Sequence, residues 1–210
     1  MKSVINMNKN DIIKKRYNRV AKYYDLMEGL MESSGGKTWR KKLWSLVKGD
    51  TILEAGVGTG NNIEMYPDGK KIFAIDFASK MVEIAKEKAK KYGKDVDIRI
   101  MDIENLEFPD KTFDAIVTSC VFCSVPDPVK GLLELKRVLK DDGRLYMLEH
   151  VRSKKIIIGT LMDLLNPITV AAWGANINRD TVENLRKAGF NIFKEENLAL
   201  DIMKLFIVGK

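Results

Sequence analysis

The sequence is poor in the residues that build disulfide networks and metal sites. Its 210 residues include two cysteines and one histidine, too few for a disulfide framework or for tetrahedral zinc ligation. It also lacks an apolar signal segment at its N-terminus and any apolar run of the roughly 20 residues that a membrane-spanning helix needs. We therefore predict a cytoplasmic protein that binds no metal and does not cross a membrane.

Positive charge is concentrated at one end of the chain. The first 48 residues hold twelve Lys or Arg and four Asp or Glu, a balance of +8, whereas the whole chain carries +7. Basic stretches with aromatic residues lie there, at 14–19 and 39–44. Such stretches attract anionic lipid headgroups or nucleic acid. The alternative interpretation is a solvated helix face with no anionic partner.

An apolar strand leads into a glycine-rich turn at residues 51–60. The turn holds three glycines spaced two apart, which lets the backbone approach a ligand closely: Gly56, Gly58 and Gly60. The spacing differs from the dinucleotide fingerprint Gly-x-Gly-x-x-Gly, because Asn61 follows the third glycine. Glu54 precedes the turn, and two further strand-like runs end at Asp76 and Asp102. Ligands of open α/β sheets bind beyond the carboxyl ends of the strands, so we expect one crevice in which Asp76 meets a ribose diol and Asp102 the amino group of a base.

Helix and strand patterns alternate along the rest of the chain, which predicts an α/β fold of parallel strands with helices on both faces. We expect a helix near 79–92, followed by strands near 96–101 and 113–120. A helix that Asp127 caps begins at about 128, and a strand at 144–150 follows a turn at 142–143. A further helix is capped by Asn178 and ends at Gly189. Closely spaced strands at about 191–198 and 202–208 predict a hairpin. Its last strand is expected to be antiparallel, at or near the sheet edge.

Three of these motifs carry a resemblance to a known family. Glu54–Gly60, Asp76 and Met101–Ile103 resemble the cofactor motifs of class I S-adenosylmethionine-dependent methyltransferases, in order and in spacing. The resemblance implies a Rossmann-like, mostly parallel seven-stranded sheet with an antiparallel C-terminal strand. It also implies S-adenosylmethionine as the cofactor, with its methionine part at the glycine turn, its ribose at Asp76 and its adenine at Asp102 and Ile103. The cofactor-binding residues predicted on this basis are Tyr17, Glu54, Gly56, Gly58, Gly60, Asp76, Phe77, Met81, Met101, Asp102, Ile103, Ser119 and Cys120.

The N-terminal residues belong to the same resemblance. In that family, a segment similar to Tyr17-x-x-x-Ala21-x-x-Tyr24-Asp25 closes over the cofactor, which implies that Tyr17 or Tyr24 lies near the sulfonium. We therefore expect residues 1–48 to form a helical cap over the cofactor. Residues 49–210 are expected to form the methyltransferase core.

The candidate catalytic residues are His150 and Tyr24. Methyl transfer from a sulfonium is an in-line displacement, so the protein mainly aligns the reactants and excludes water. His150 lies at a predicted strand tip and has an ordinary pKa of about 6.5, which suits a base; the alternative is a histidine with a structural hydrogen bond. Cys120 and Cys123 have redox spacing, but they lie where a strand leaves the sheet, so we expect them to line the pocket.

Residues 152–177 have three interpretations. They connect the fifth strand to the next helix, so they either wall an apolar acceptor pocket, form an ordinary pair of core helices, or form a membrane-dipping helix flanked by Lys154 and Lys155. We adopt the first interpretation, in which residues 152–177 are an insertion of the methyltransferase core that forms the acceptor pocket. Polar residues and a proline are expected to interrupt the segment: Asp163, Asn166 and Pro167.

The acceptor is the least determined part of the prediction. Residues 121–151 are similar to family members that methylate small or lipophilic acceptors, namely alkyl-thiol, quinone-ring and bacterial phospholipid N-methyltransferases. The sequence thus predicts methyl transfer to a phospholipid amine, a quinol or a thiol, in the cytoplasm or at the inner membrane surface, with the oligomeric state open. The alternatives are a nucleotide-dependent oxidoreductase, a nucleic-acid methyltransferase, which lacks support from a base-flipping motif, and a non-catalytic cofactor-binding or lipid-sensing protein.

Overall fold

A seven-stranded sheet runs through the protein in the order β3-β2-β1-β4-β5-β7-β6. The computed structural model describes residues 13–19, 21, 29 and 35–210. The strands are β1 (Thr51–Ala55), β2 (Lys71–Asp76), β3 (Asp97–Ile100), β4 (Phe113–Ser119), β5 (Leu139–His150), β6 (Asn191–Ala199) and β7 (Met203–Gly209). The first five strands pair in parallel, and β7 is antiparallel to both β5 and β6. The predicted mostly parallel sheet with an antiparallel C-terminal strand is confirmed, with β7 one place in from the edge.

Helices cover both faces of the sheet. They are α1 (Gly36–Leu46), α2 (Ser79–Tyr92), α3 (Pro128–Val138), α4 (Ile156–Trp173) and α5 (Thr181–Lys187), with a short 3-10 helix at Ile63–Met65. One apolar core packs α1 and α2 against the sheet, and a second core on the opposite face packs α3 and α5. Helical residues 13–19 lie N-terminal to these elements.

The strand order creates a crevice at the carboxyl end of β1. This strand is central, between β2 and β4, so the segments that follow β1 and β4 leave the sheet toward opposite sides. A topological switch point of this kind is where open α/β sheets bind their ligands. The glycine turn after β1 therefore faces the loop after β4 across the crevice.

Two predicted boundaries were wrong. Strand β5 begins at Leu139, ahead of the turn predicted at 142–143, because Leu139 already pairs with Phe113; an irregularity follows before Arg144 pairs with Ala115. The cap of α5 is Asp180, whose side chain accepts from the N–H of Glu183, and not Asn178, whose amide donates to the Asp163 carboxylate.

Residues 156–173 form one continuous helix, so the interpretation of this segment as a pair of core helices was wrong. Asp163 pairs with Arg152, and Asn166 bonds to residues 176–177, so their polar groups find partners without breaking the helix. Pro167 removes one helical N–H donor, a loss that the helix tolerates here. Within the described ranges, no helix has the length and hydropathy to span a membrane.

Candidate active site

A cavity that is open to solvent lies at the carboxyl ends of the first four strands. Its walls come from the segments that follow these strands, from α1, from helical residues 13–19, and from Leu148 and Met203 of β5 and β7.

Eleven of the predicted cofactor-binding residues line this cavity: Tyr17, Gly56, Gly58, Asp76, Phe77, Met81, Met101, Asp102, Ile103, Ser119 and Cys120. Glu54 and Gly60 lie behind its wall, and His150 is not among the described lining residues. Tyr24 falls outside the residues that the structure describes. The lining combines polar groups, such as the carboxylates of Asp76 and Asp102, with apolar side chains such as Met81 and Val121.

The glycines of the turn have different surroundings, although all three have positive φ. A Cβ on Gly56 would lie 2.4 Å from a methyl group of Val121, and a Cβ on Gly60 would lie 2.6 Å from Ile63 and 3.1 Å from the backbone of Ala85. A Cβ on Gly58 would meet nothing within 4 Å. The outer two glycines thus allow close packing, whereas Gly58 presents its backbone to the open cavity.

The Asp76 carboxylate joins the tips of β1 and β2. One oxygen accepts from the N–H of Gly58 at 3.0 Å and the other from the N–H of Ala78 at 2.9 Å. Burial raises the pKa of Asp76 to about 6, although these backbone hydrogen bonds act to lower it. The backbone N–H of Phe77 is a third donor to this carboxylate, so about one of its four lone pairs remains to accept from a ligand hydroxyl.

Glu54 supports the cavity wall from behind. Its buried carboxylate accepts from the amide of Asn62 at 2.6 Å and from the hydroxyl of Tyr66. Burial raises the pKa of Glu54 to about 7. Asn62 lines the cavity, so Glu54 positions a lining residue through this hydrogen bond.

Glu149 holds the loop that follows β4. Its buried carboxylate accepts from the Thr118 hydroxyl at 3.0 Å and from the N–H groups of Val121 and Phe122, each at 3.3 Å. At the start of this loop, Cys120 has a φ of 54°, a conformation that is uncommon for a residue with a side chain. These contacts fix the backbone where it meets the cavity.

Helical residues 13–19 and the loop after β4 meet at the wall of the cavity. The hydroxyls of Tyr17 and Ser124 share a hydrogen bond, and the ring of Tyr17 packs edge-on against Phe77 with centroids 5.9 Å apart. Burial raises the pKa of Tyr17, and burial raises the pKa of the neighbouring Cys123 thiol to about 11. Both groups are therefore neutral at physiological pH, which suits hydrogen bonding and not proton abstraction.

His150 lies at the end of β5, opposite Met203 of β7. Burial lowers its pKa, and a hydrogen bond to the backbone of Ile177 opposes that shift. Its Nδ1 is buried and has no partner among the residues that the structure describes. The imidazole thus bonds to the segment after α4, while its strand partner Met203 is a lining residue of the cavity.

Sequence reasoning missed several lining residues. Helix α1 contributes Trp39 and the buried Arg40, which is the one cation among the described residues of the wall; Asn61 and Asn62 also line the cavity. The predicted cap over 1–48 pointed to this region and named Tyr17 and Tyr24, but it named no side chain of α1. The signal available was the basic, aromatic stretch 39–44, in which the inward-facing arginine could not be distinguished from its solvated neighbours.

Comparison with known proteins identifies the family. Residues 53–147 match the family model described as a methyltransferase domain. A phosphatidylethanolamine N-methyltransferase of Cereibacter sphaeroides is 31% identical over 147 residues, covering 69% of this chain and 71% of the relative. A ubiquinone/menaquinone biosynthesis C-methyltransferase of Bdellovibrio bacteriovorus is 29% identical over 205 residues, covering 92% of this chain and 86% of the relative.

A solved structure shows the fold class. A methyltransferase of Thermotoga maritima, described as S-adenosylmethionine-dependent and as a possible histamine N-methyltransferase, has a TM-score of 0.66 at 23% identity, over 92% of this chain and 96% of that chain. The fold is the Rossmann-like fold of class I methyltransferases. The chain belongs to the S-adenosylmethionine-dependent methyltransferases, and its cofactor is S-adenosylmethionine. The predicted family, fold and cofactor are confirmed.

Gly60 provides a test of which glycines serve packing. Gly60→Ala is expected to lower the free energy of unfolding by about 1–3 kcal/mol more than Gly69→Ala, because its methyl group would collide with Ile63 and Ala85. Gly69 is the matched control, since it has a similar φ of 73° and open space around its Cβ position. Urea denaturation measures both values, and equal losses would contradict the packing role.

Proposed function

We propose that this enzyme transfers the methyl group of S-adenosylmethionine to a small, lipophilic acceptor, with a phospholipid amine, a quinol and a thiol as the candidate classes. The observation that carries the proposal is one cavity lined both by the carboxylates of Asp76 and Asp102 and by apolar residues of the loop after β4, among them Val121, Val125 and Pro126. The relatives named above are a phosphatidylethanolamine N-methyltransferase and a quinone-pathway C-methyltransferase. We place the reaction in the cytoplasm, with access to the inner membrane surface.

The polar lining residues fit the cofactor. Asp76 would accept from a ribose hydroxyl through the lone pair that its three backbone donors leave. Asp102 and Ile103 would hold the adenine, and the open side of Gly58 would face the methionine part. We assign the cofactor's carboxylate to the region of Arg40, the cation in this wall. When bound, the sulfonium supplies an electrophilic methyl group.

The acceptor is assigned to the apolar lining residues. They include Val121, Val125, Pro126, Leu148 and Met203. Such a surface favours an apolar molecule and excludes water from the reacting atoms. Ser124 and Tyr17 supply the hydroxyls at the cavity mouth, where one of them can bond to a polar group of the acceptor.

We propose that His150 positions the segment after α4 and is not the base that removes the proton of the methyl acceptor. The basis is its hydrogen bond to the backbone of Ile177 and its place outside the described cavity lining. The remaining hydroxyl and thiol groups at the mouth have raised pKa values. An acceptor that is nucleophilic at neutral pH would need no dedicated base.

Asp76→Asn tests the cofactor site. The variant is expected to bind S-adenosylmethionine more weakly by about 1.5–3 kcal/mol, because a neutral amide replaces charge-assisted hydrogen bonds. The pKa of Asp76 is raised to about 6, so the wild-type affinity should fall as the pH falls through 6 and the carboxylate takes up a proton. The variant should lack this component of the pH dependence.

Calorimetric titration at several pH values measures both effects. Asp68→Asn is the control, because Asp68 is an exposed carboxylate paired with Lys94 and lies outside the cavity lining. An Asp76→Asn variant that is folded, by its thermal unfolding curve, and binds with wild-type affinity and pH dependence would contradict the assigned ribose contact.

Transfer of a labelled methyl group tests the reaction itself. We expect product with at least one of three acceptor sets: aminophospholipid vesicles, reduced quinones with short side chains, and alkyl thiols. Label in none of them, by a protein that binds the cofactor, would contradict the lipophilic-acceptor proposal. With the active acceptor, His150→Ala should keep the wild-type pH–rate profile; loss of its acidic limb would instead make His150 the base.

A further inference from the structure

Helix α4 is apolar on every side but is covered on only one. Asp163 is the one charged residue among its 18 residues. Gly159 and Met162 are buried on the side that faces the protein. A helix that is apolar all round normally has an apolar environment all round, and the described residues provide that environment on the inner side alone.

The outward side of α4 exposes large aliphatic side chains. Ile157, Leu164 and Ile168 are 84%, 73% and 65% exposed. Their spacing of seven and four residues places them on one face of the helix. Ile156 and Leu161 are exposed beside them. A contiguous apolar surface of this kind marks a site of contact with another apolar phase.

Cationic residues lie at both ends of this surface. Lys154 and Lys155 precede the helix and are exposed. At the other end, Arg16 donates to the carbonyl of Val170 at 2.5 Å. This contact places helical residues 13–19, which include four Lys or Arg and no acidic residue, beside the last turns of α4.

This charge pattern suits an anionic lipid surface better than a second copy of the chain. The carboxylate of Asp163, the single acidic group of α4, is already paired with Arg152 at 2.7 Å. A symmetric dimer formed through α4 would bring two cationic rims together, which is repulsive. Anionic headgroups complement the lysines, while the acyl chains accept the aliphatic side chains.

Helix α4 is also tied to the mouth of the cavity. Beyond its C-terminus, Asn176 donates from its backbone and its amide to the carbonyl of Cys123, at 2.8 and 3.0 Å, and Arg179 donates to the carbonyl of Val125 at 2.6 Å. Val125 and the adjacent Ser124 line the cavity. The segment that follows α4 is therefore bonded to the loop after β4, which lines the cavity.

We propose that the exposed face of α4 docks on an anionic bilayer, with Ile157, Leu164 and Ile168 among the acyl chains and Lys154 and Lys155 at the headgroups. Docking holds the cavity mouth at the lipid surface, so that an acceptor dissolved in the membrane reaches Ser124 without crossing bulk water. This inference rests on the proposed lipophilic acceptor, and it identifies the phase from which that acceptor comes.

Vesicle sedimentation tests the docking surface. The wild-type protein should sediment with vesicles of phosphatidylcholine and phosphatidylglycerol, and more weakly with phosphatidylcholine alone. Leu164→Gln should reduce the partition coefficient by about tenfold. Leu133→Gln should leave it unchanged, because Leu133 is a 50% exposed leucine of α3 outside the proposed surface. Lys154→Gln with Lys155→Gln should reduce binding to the anionic vesicles by roughly 10–30-fold.

Calorimetric titration of S-adenosylmethionine separates this proposal from the proposed function. All variants should bind the cofactor with wild-type affinity, which also shows that they are folded. A wild-type protein that binds the cofactor but not the anionic vesicles would overturn the docking proposal and leave the cofactor assignment standing. Equal losses from Leu164→Gln and Leu133→Gln would also overturn it. So would a wild-type dimer, seen by sedimentation velocity, that Leu164→Gln dissociates.

Discussion

Buried carboxylates at the strand tips hold the loops that form the cavity. Asp76 joins the turn after β1 to the start of α2, Glu54 anchors Asn62, and Glu149 accepts from the loop after β4. Burial raises the pKa of each of these groups. An isolated carboxylate would be too costly to bury, and hydrogen bonds from backbone N–H groups and side chains offset that cost. The site is thus shaped by loops that bond to fixed oxygen atoms.

The cavity also joins three parts of the chain that are distant in sequence. Helical residues 13–19 meet the loop after β4 through Tyr17 and Ser124, and the segment after α4 meets the same loop through Asn176. Because this loop receives contacts from both directions, it connects helical residues 13–19 to the segment after α4. The part of the cavity lined by Gly58, Asp76 and Asp102, by contrast, is built from the ends of β1, β2 and β3. Its geometry depends mainly on the sheet.

The local signals in the sequence predicted the sheet and the cofactor correctly. Alternating apolar strands, the glycine turn and the acidic strand ends are short patterns whose placement follows from strand order, and the fold and cofactor derived from them are confirmed. Three features depend on long-range partners instead. They are the inward direction of Arg40, the bond of Asn178 to Asp163 in place of a helix cap, and the continuity of α4 through Pro167. The spacing of residues along the sequence does not show which distant residues become their partners. The same limit applies to Glu54, whose contact with Asn62 needs the folded turn.

The strand order has a consequence for self-association. One border of the sheet is β3, which has four residues and carries the ion pair of Asp97 and Arg99; the other is β6, with Lys194, Glu195 and Glu196 in its middle. Short strands and charged side chains at a border disfavour backbone pairing with a neighbouring molecule. The sheet therefore resists growth into larger β-structures during synthesis and folding, when unpaired amide groups are most vulnerable to aggregation.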